Sequence, residues 1–110
     1  EFMVYEGDRW TFECFYQAVD ALAGRLQTEL GVKAGERIAI AMRNRPEWAV
    51  AFSAVVLLGA VPAPLNSFGL RDELLANLRG LQPRWLICDA ERFAHVRADL
   101  AALNCRAVLV

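Results

Sequence analysis

The apolar residues in the first third of the chain recur every three or four positions, which is the spacing of one face of an α-helix. Thr11 precedes this pattern as a suitable N-cap. Gly31 follows it, where a glycine can take the left-handed conformation that ends a helix. The pattern therefore predicts a helix between these two residues. Gly24 lies inside it, which indicates either close packing against a neighbouring backbone or sequence drift. The apolar positions of the helix are Phe12, Phe15, Val19, Leu22, Leu26 and Leu30.

The other apolar segments predict an order of elements that defines the fold class. A turn signal at Glu6, Gly7 and Asp8 divides residues 2–11 into two extended pieces, which predicts a short hairpin. Beyond the first helix, strands and helices alternate over short connections. We therefore predict an α/β protein with a doubly wound parallel sheet flanked by helices. The predicted strands are residues 37–42, 61–65, 85–88 and 106–110, and the predicted helices are residues 46–58, a segment opened by Asp72 and Glu73 and stopped by Pro83, and residues 90–104.

The helix predicted at residues 46–58 is apolar almost all round. Pro46 suits a first helical turn, Glu47 complements the helix dipole there, and Ser53 is the only polar residue in the rest of the helix. Such a helix is expected to be buried nearly all round, and to expose a flank if a neighbour is missing. Self-association of the chain through such a flank is therefore expected.

The strand after this helix and the last strand both indicate missing neighbours. Pro62 and Pro64 remove two amide donors that would point to the same side, so their strand is expected at a local edge of the sheet or beside a crossing loop. The final strand closes at Val110 with no cap, no charge and no helix after it. These features predict that residues 1–110 are part of a larger amino-terminal domain.

Composition and charge exclude several classes of protein. The 12 basic and 13 acidic residues are scattered singly, so no basic stripe is present to follow a nucleic acid backbone. Cys14, Cys88 and Cys105 form no C-x-x-C pair and have no histidine beside them. We therefore expect reduced, buried thiols in a cytoplasmic protein, without a disulfide framework or a metal site.

A membrane span has to be considered because the run from Trp48 to Leu70 carries no charge. Gly59, Pro62 and Pro64 end any helix in this run after about 14 residues, which would cover only about 21 Å of the roughly 30 Å hydrocarbon core. No transmembrane span is therefore expected. The first residues also lack the basic segment and long apolar core of a signal peptide.

The acidic residues and the single histidine offer few candidates for chemistry. His95 lies on a helix flank, where a surface position is expected rather than a role as base or ligand. Asp72 and Glu73 are adjacent and point in different directions on a helix, so they fit helix initiation better than acid–base chemistry. Asp89 ends a strand at the carboxyl edge of the sheet. It is interpreted either as part of a ligand site or as the cap of the next helix.

The basic residues and tryptophans give no stronger signal. Arg43 and Arg45 flank a helix start, where they either meet an anion or are solvated, and Lys33 lies in a plain turn. No dinucleotide-binding or P-loop glycine motif is present. The sequence therefore predicts no catalytic, cofactor-binding or metal-binding residue within the chain. Trp10, Trp48 and Trp85 are expected in a core or an interface.

The order of motifs resembles the amino-terminal region of the adenylate-forming superfamily, which includes acyl- and aryl-CoA synthetases, luciferases and peptide-synthetase adenylation domains. The resemblance runs from Val4 to Val110. It is carried by G-V-K-A-G-E-R-I-A-I, by the N-x-P-E-W corner at Asn44, Pro46, Glu47 and Trp48, by G-A-V-x-x-P-L-N from Gly59 to Asn66, and by L-I-C-D.

The resemblance implies a two-step ligase. A carboxylic acid reacts with magnesium ATP to give an acyl-adenylate and pyrophosphate, and a thiol, usually coenzyme A, then takes the acyl group. The superfamily's Ser/Thr/Gly-rich loop ending P-K-G is absent here, so the chain itself is expected to bind no cofactor and to pack against the remainder of a ligase. Arg92 or Arg97 could correspond to residues that approach coenzyme A in some members, but the local match is too poor to assign that role.

Two other interpretations remain open. The chain could be a free-standing small α/β interaction module whose apolar faces bind a partner. It could also be the start of a peptide-synthetase adenylation domain.

Overall fold

The computed structural model describes residues 3–5, 8–43, 46–65 and 71–110, and it describes side chains from residue 11 onward within these ranges. The predicted turn at Glu6 and Gly7, the corner residues Asn44 and Arg45, and the linker at residues 66–69 lie outside the described residues. The elements in chain order are β1 (Met3–Tyr5), β2 (Asp8–Trp10), α1 (Phe12–Thr28), β3 (Arg37–Ala41), α2 (Pro46–Leu57), β4 (Val61–Pro64), α3 (Arg71–Leu81), β5 (Trp85–Cys88), α4 (Ala90–Val96) and β6 (Arg106–Leu109).

The chain divides into two compact units. The first lies within residues 1–36 and 44–61 and contains β1, β2, α1 and α2, and the second lies within residues 37–43 and 62–110. In the first unit β1 and β2 pair antiparallel with Met3 opposite Trp10, which confirms the predicted hairpin.

Helix α1 confirms the capping prediction made from the sequence. The Thr11 hydroxyl accepts a hydrogen bond from the Cys14 amide at 3.0 Å, and Gly31 has a φ of +68° just beyond the helix. The buried face contains Phe15, Val19, Leu22, Ala23 and Leu26. Leu30, the last predicted apolar position, lies beyond the end of the helix and is partly buried. Phe12 is a further exception, since it is 58% exposed and stacks on the ring of Tyr16. It stands in the first turn of the helix, and its apolar character alone could not show that this turn is exposed.

Gly24 is not closely packed. A Cβ built at this position would meet no atom within 4 Å, so the packing interpretation of this glycine is wrong. Its backbone carbonyl accepts a hydrogen bond from the Thr28 hydroxyl at 2.6 Å. An alanine at position 24 would therefore fit without displacing a neighbour.

Helix α2 begins at Pro46 as predicted, but only part of its circumference is buried. The buried residues are Pro46, Val50, Ala51, Ala54 and Val55. On another flank, Val56 is 52% exposed and Leu57 is 60% exposed, so α2 shows the exposed flank that was expected if a neighbour is missing, rather than burial nearly all round. The helix ends where Gly59 takes a φ of +75° and donates a hydrogen bond to the carbonyl of Val56.

The second unit contains a four-stranded sheet in the order β4-β3-β5-β6. The β3–β5 and β5–β6 pairs are parallel, with Ile38 opposite Trp85 and Trp85 opposite Arg106. Residues Ile38 to Ala41 are completely buried, so both alternating faces of β3 are covered, as expected for a central parallel strand. The α/β class and the parallel sheet flanked by helices are confirmed.

Strand β4 lies at the end of this order, as its prolines predicted. The Val61 amide donates to the Glu36 carbonyl and the Leu65 amide donates to the Ile40 carbonyl, each at 2.8 Å. The constant offset of 25 residues between donor and acceptor marks a parallel pairing. Because alternate amides point toward β3, Pro62 and Pro64 lie in the positions whose amides would point away from it.

Helix α4 ends at Val96, so the prediction of a helix through residue 104 is wrong. The Arg97 amide still bonds to the Phe93 carbonyl, but the Asp99 amide bonds to the Val96 carbonyl three residues back, and turns with mixed three- and four-residue hydrogen bonds continue to Asn104. The predicted apolar stripe is nevertheless correct. Val96 and Leu100 are buried in the core beside Leu74, Leu78 and Leu86, with Phe93 and Leu103 partly buried against it.

Candidate functional site at the switch point of the sheet

The strand order reverses direction between β3 and β5. From β3 the chain adds β4 on one side and then returns to add β5 and β6 on the other side. In open α/β sheets, ligands bind outside the carboxyl ends of the strands at such a switch point. The place to look for chemistry is therefore the carboxyl ends of β3 and β5.

Asp89 occupies this position and has a structural role. One carboxylate oxygen, Oδ1, accepts a hydrogen bond from the Arg92 amide at 2.9 Å, and so caps α4. The other oxygen, Oδ2, accepts a hydrogen bond from the Arg43 amide at 3.1 Å, just beyond the end of β3. The capping interpretation of Asp89 is confirmed, and the carboxylate also ties the ends of the two switch-point strands together.

Arg92 forms a buried ion pair with Asp89 at the same place, and the exposed Glu91 also contacts it. Its guanidinium NH1 lies 3.3 Å from Asp89 Oδ2 and 3.0 Å from Glu91 Oε2, and the residue is only 9% exposed. A buried arginine is tolerated because carboxylates compensate its charge. The exposed Arg97 lies instead with its guanidinium 5.9 Å from the Phe93 ring centroid. Arg92 therefore belongs to the group of charged residues at the switch point, whereas Arg97 lies on the surface.

Two of the three thiols are buried in the core. Burial raises the pKa of the Cys88 thiol from its ordinary value of 9.0 to about 12, and the nearby Asp89 carboxylate and Cys105 add to that rise. Burial also raises the pKa of the Cys105 thiol to about 11. Both are therefore protonated and poorly nucleophilic near neutral pH. Cys14 is exposed, so the expectation that it is buried is wrong: it lies off the buried stripe of α1.

The remaining charged candidates lie on the surface. His95 is exposed, as predicted. Asp72 and Glu73 are exposed in the first turn of α3, which agrees with helix initiation. The Lys33 amide bonds to the Glu36 carboxylate at 3.1 Å within the expected turn. Among the described residues, His, Cys, Asp and Glu side chains form no group of three that could hold a metal ion.

The tryptophans differ in their surroundings. Trp85 is 5% exposed at the start of β5, which confirms a core position. Trp48 is partly buried and stacks on Phe52 with ring centroids 5.3 Å apart. The side chain of Trp10 and the whole of Arg45 lie outside the described residues.

The first unit carries an apolar groove between α1 and α2. Its volume is about 340 Å³, and Phe15, Tyr16, Val19, Asp20, Phe52, Ser53, Val56 and Leu57 line it. The expectation that α2 exposes a flank is met here. No helix among the described residues is both long enough and apolar enough to cross a membrane.

The contact between Asp89 and Arg92 at the switch point could have been predicted from the sequence. Asp89 and Arg92 are three residues apart around a helix start, a spacing that brings an N-cap carboxylate and an arginine side chain together. The hydrogen bond that the Arg43 amide donates to Asp89 could not be predicted from the sequence, because strand pairing brings together two residues that are 46 positions apart.

The fold and the switch point define a parallel α/β scaffold, and at its carboxyl edge the buried Asp89–Arg92 ion pair and the Arg43 amide join the ends of two strands. The model of the AMP-binding enzyme family matches residues 1–110, and the chain belongs to that family. The resemblance to the adenylate-forming superfamily is therefore confirmed.

Individual relatives agree with the family assignment. The chain is 34% identical over 87 residues to a 2-succinylbenzoate–CoA ligase from Bacillus velezensis, covering 79% of this chain and 18% of that protein. It is 31% identical over 107 residues to long-chain fatty acid transport protein 6 from Homo sapiens, covering 94% of this chain and 17% of that protein. The chain thus spans less than a fifth of the length of these relatives.

The fold is shared with a solved structure. The crystal structure of a benzoate CoA ligase from Burkholderia xenovorans superimposes with a TM-score of 0.87 over 97% of this chain and 22% of that one, at 22% sequence identity. At this identity the likeness establishes the fold alone.

Proposed function

We propose that residues 1–110 are the amino-terminal part of an ATP-dependent acid–CoA ligase and that they act in it as a structural scaffold. The observation that carries this proposal is the match of the AMP-binding enzyme family along the whole of residues 1–110. The name of the Bacillus velezensis relative supports the ligase class, since that protein is a 2-succinylbenzoate–CoA ligase.

The scaffold role is supported by what occupies the switch point. Asp89 and Arg92 form an ion pair there, and the Arg43 amide donates a hydrogen bond to the second oxygen of the Asp89 carboxylate. The chain contains no Ser/Thr/Gly-rich phosphate loop, and its only lysine is Lys33. These residues do not fit the triphosphate of ATP or its magnesium ion, so no step of adenylation is assigned to them. Residues beyond this stretch would bind ATP, magnesium and coenzyme A.

A fatty or an aromatic carboxylic acid is the proposed substrate class. The relatives support both, because one is named for the aromatic acid 2-succinylbenzoate and another for long-chain fatty acids. We further propose a cytoplasmic location, which suits the free cysteines.

Thioester formation tests the proposal directly. The full-length protein containing residues 1–110 would be incubated with ATP, magnesium, coenzyme A and either palmitate or benzoate, and acyl-CoA would be measured by mass spectrometry. Formation of palmitoyl-CoA or benzoyl-CoA supports an acid–CoA ligase. Acyl transfer to a carrier domain of the same protein, with none to coenzyme A, would instead identify a peptide-synthetase adenylation domain.

An interaction module is the second candidate, and one observation favours it. The groove between α1 and α2 exposes apolar surface, with Val56 and Leu57 each more than half exposed. Exposed apolar patches of this kind mark protein interaction sites. The sequence of the full-length gene distinguishes the two candidates. A reading frame that continues into a phosphate loop supports the ligase, and one that stops at residue 110 supports the module.

A further inference from the structure

The outer strand of the sheet, β6, has a backbone edge without a partner in the part of the chain that the structure describes. It is the last strand in the order β4-β3-β5-β6, so only β5 lies beside it. The amides of Arg106 and Val110 donate hydrogen bonds of 2.9 and 3.1 Å to backbone carbonyls on the β5 side. Because alternate amides of a strand point to opposite sides, the amides of Ala107 and Leu109 point away from β5.

The two edges of the sheet differ in how they are protected. At the opposite edge, Pro62 and Pro64 occupy the outward positions of β4, and proline has no amide to donate. The sequence of β6 is Arg-Ala-Val-Leu, with an ordinary amide at both outward positions and no charge after Arg106. Edge strands that face water commonly carry prolines or charges, because open amides and carbonyls recruit another strand. The chemistry of β6 is therefore that of a strand with a neighbour on both sides.

The side chains of β6 also indicate an adjoining strand. In the β5–β6 pair, Leu86 is opposite Ala107 and Cys88 is opposite Leu109, so the four side chains share one face of the sheet. Leu86 and Cys88 are buried in the core on that face, and Ala107 is partly buried against it. Leu109 is 51% exposed. An apolar side chain on a strand beside β6 would cover Leu109 and extend this core.

The proposed ligase chain is long enough to supply such a strand. The chain belongs to the AMP-binding enzyme family, and its match covers 18% of the Bacillus velezensis relative and 17% of the human relative. Most of a protein of that length lies outside residues 1–110. A segment of the same polypeptide is held near β6 at a high effective concentration, which favours it over a second molecule. This source of the strand rests on the proposed function.

We propose that a further strand of the same polypeptide pairs with the outer edge of β6. Its backbone exchanges hydrogen bonds with the amides and carbonyls of Ala107 and Leu109, and one of its apolar side chains packs on Leu109. The sheet is then wider than four strands, and β6 is an internal strand. A second copy of the protein is the competing occupant of this edge.

Hydrogen exchange of the full-length protein tests the pairing at single residues. Mass spectrometry with electron-transfer fragmentation resolves the amides at the end of the second unit. The amides of Arg106 and Val110 are the internal control, since they bond to the β5 side and should exchange slowly in any case. The amides of Ala107 and Leu109 should exchange at least about a hundredfold more slowly than in an unstructured peptide of the same sequence. Fast exchange at these two amides beside slow exchange at the control amides overturns the proposal.

The variant Ala107→Pro removes one outward amide and keeps the amides that bond to β5. Loss of one hydrogen bond to the further strand should make the Leu109 amide exchange about tenfold faster. Ala107→Ser is the matched control, because it keeps the amide at a similar side-chain size, and it should exchange like the wild type. Unchanged exchange at Leu109 in a folded Ala107→Pro protein contradicts the pairing. If circular dichroism shows that this variant does not fold, the exchange pattern of the wild type decides.

The oligomeric state distinguishes the two occupants of the edge. Exchange is measured over a wide range of protein concentration, with sedimentation velocity at each concentration. Protection of Ala107 and Leu109 in the monomer supports a strand of the same polypeptide. Protection that arises only as a dimer forms identifies a second copy and overturns the proposal.

Thioester formation is measured on the same samples. Strand pairing requires no substrate, so protection of the outward amides in a protein that forms no thioester would contradict the ligase proposal alone. Thioester formation in a protein whose outward amides exchange fast would contradict the pairing alone.

Discussion

The carboxylate of Asp89 accepts a hydrogen bond from the backbone amide of Arg43 at 3.1 Å, although the two residues are 46 positions apart in the sequence. The same carboxylate caps α4 and pairs with Arg92. One side chain thus joins the ends of β3 and β5 to the start of a helix. The stability of the second unit should depend on it.

Replacement of Asp89 by alanine should destabilise the protein by about 2 to 4 kcal/mol. Loss of an N-cap costs about 1 kcal/mol, and a partly buried amide and guanidinium each lose an acceptor. Asp89→Asn should cost less, because asparagine is also a good N-cap. Urea unfolding measures both changes. Asp72→Ala is the control, since Asp72 is exposed in the first turn of α3 and its loss should cost under about 1 kcal/mol. Equal losses for Asp89→Ala and Asp72→Ala would contradict the structural role of Asp89.

Gly24→Ala should stabilise the protein by about 0.5 to 1 kcal/mol. Glycine inside a helix loses more conformational entropy on folding than alanine does, and the added Cβ would meet no atom within 4 Å. Gly59→Ala is the contrasting variant, because Gly59 has a φ of +75° and alanine there should destabilise by about 1 to 2 kcal/mol. Thermal and urea unfolding measure whether each variant is more or less stable than the wild type. If Gly24→Ala lowers stability, α1 is not packed as described.

The three thiols should separate by reactivity. At pH 8, iodoacetamide should label Cys14 quickly, because it is exposed, and should leave Cys88 and Cys105 unlabelled in the folded protein. Peptide mass spectrometry after brief labelling identifies the modified residues. Labelling in urea is the control and should modify all three. Rapid labelling of Cys88 without urea would show that the core is open.

The raised pKa of Cys88 also predicts how stability depends on pH. In the unfolded chain the thiol ionises near its ordinary pKa of 9.0, whereas in the folded protein it keeps its proton until about pH 12. Above pH 9 the unfolded state therefore binds fewer protons, and stability falls as pH rises from about 9 to 12. Cys88→Ala removes this contribution, so its unfolding free energy should fall less steeply over that interval. Identical slopes for the two proteins would show that Cys88 ionises alike in both states.

Residues 1–110 alone should self-associate through the groove between α1 and α2. Val56 lines the groove and is 52% exposed, and burying such a side chain contributes about 1.5 to 3 kcal/mol. Val56→Asp should shift the chain toward monomer in sedimentation velocity. Gln17→Asp adds the same charge at an exposed position of α1 that does not line the groove, and should leave association unchanged. A wild-type chain that stays monomeric at high concentration would contradict the expectation.

The sequence predicted the order of elements because periodicity and capping are local. The helix from Thr11 and the parallel strand at Trp85–Cys88 were both visible in residue spacing and turn residues. The edge position of β4 followed from Pro62 and Pro64, since proline lacks a donor. The end of α4 was missed because the apolar stripe continues through Leu100 while the backbone tightens after Val96. The pattern of apolar side chains does not distinguish a continuing α-helix from the turns that follow Val96.

The candidate site was predicted less completely than the fold, because its contacts join residues that are distant in the sequence and meet only when the strands pair. Asp89 was recognised as a strand-end residue with two interpretations, and only the Arg43 amide and the buried Arg92 show how its oxygens are used. Arg84 and Arg106 were seen only as scattered single charges. Parallel pairing places Arg106 opposite Trp85, so that its guanidinium lies 5.5 Å from the Trp85 ring centroid, and the spacing of these residues in the sequence contains no signal for that.

We propose that these residues belong to a ligase that activates a carboxylic acid with ATP, and that they serve in it as a scaffold. The most direct test is acid-dependent exchange of labelled pyrophosphate into ATP. The full-length protein should catalyse this exchange with a fatty or aromatic acid, and residues 1–110 alone should not. Robust exchange by residues 1–110 alone, or none by the full-length protein with either class of acid, would contradict the account.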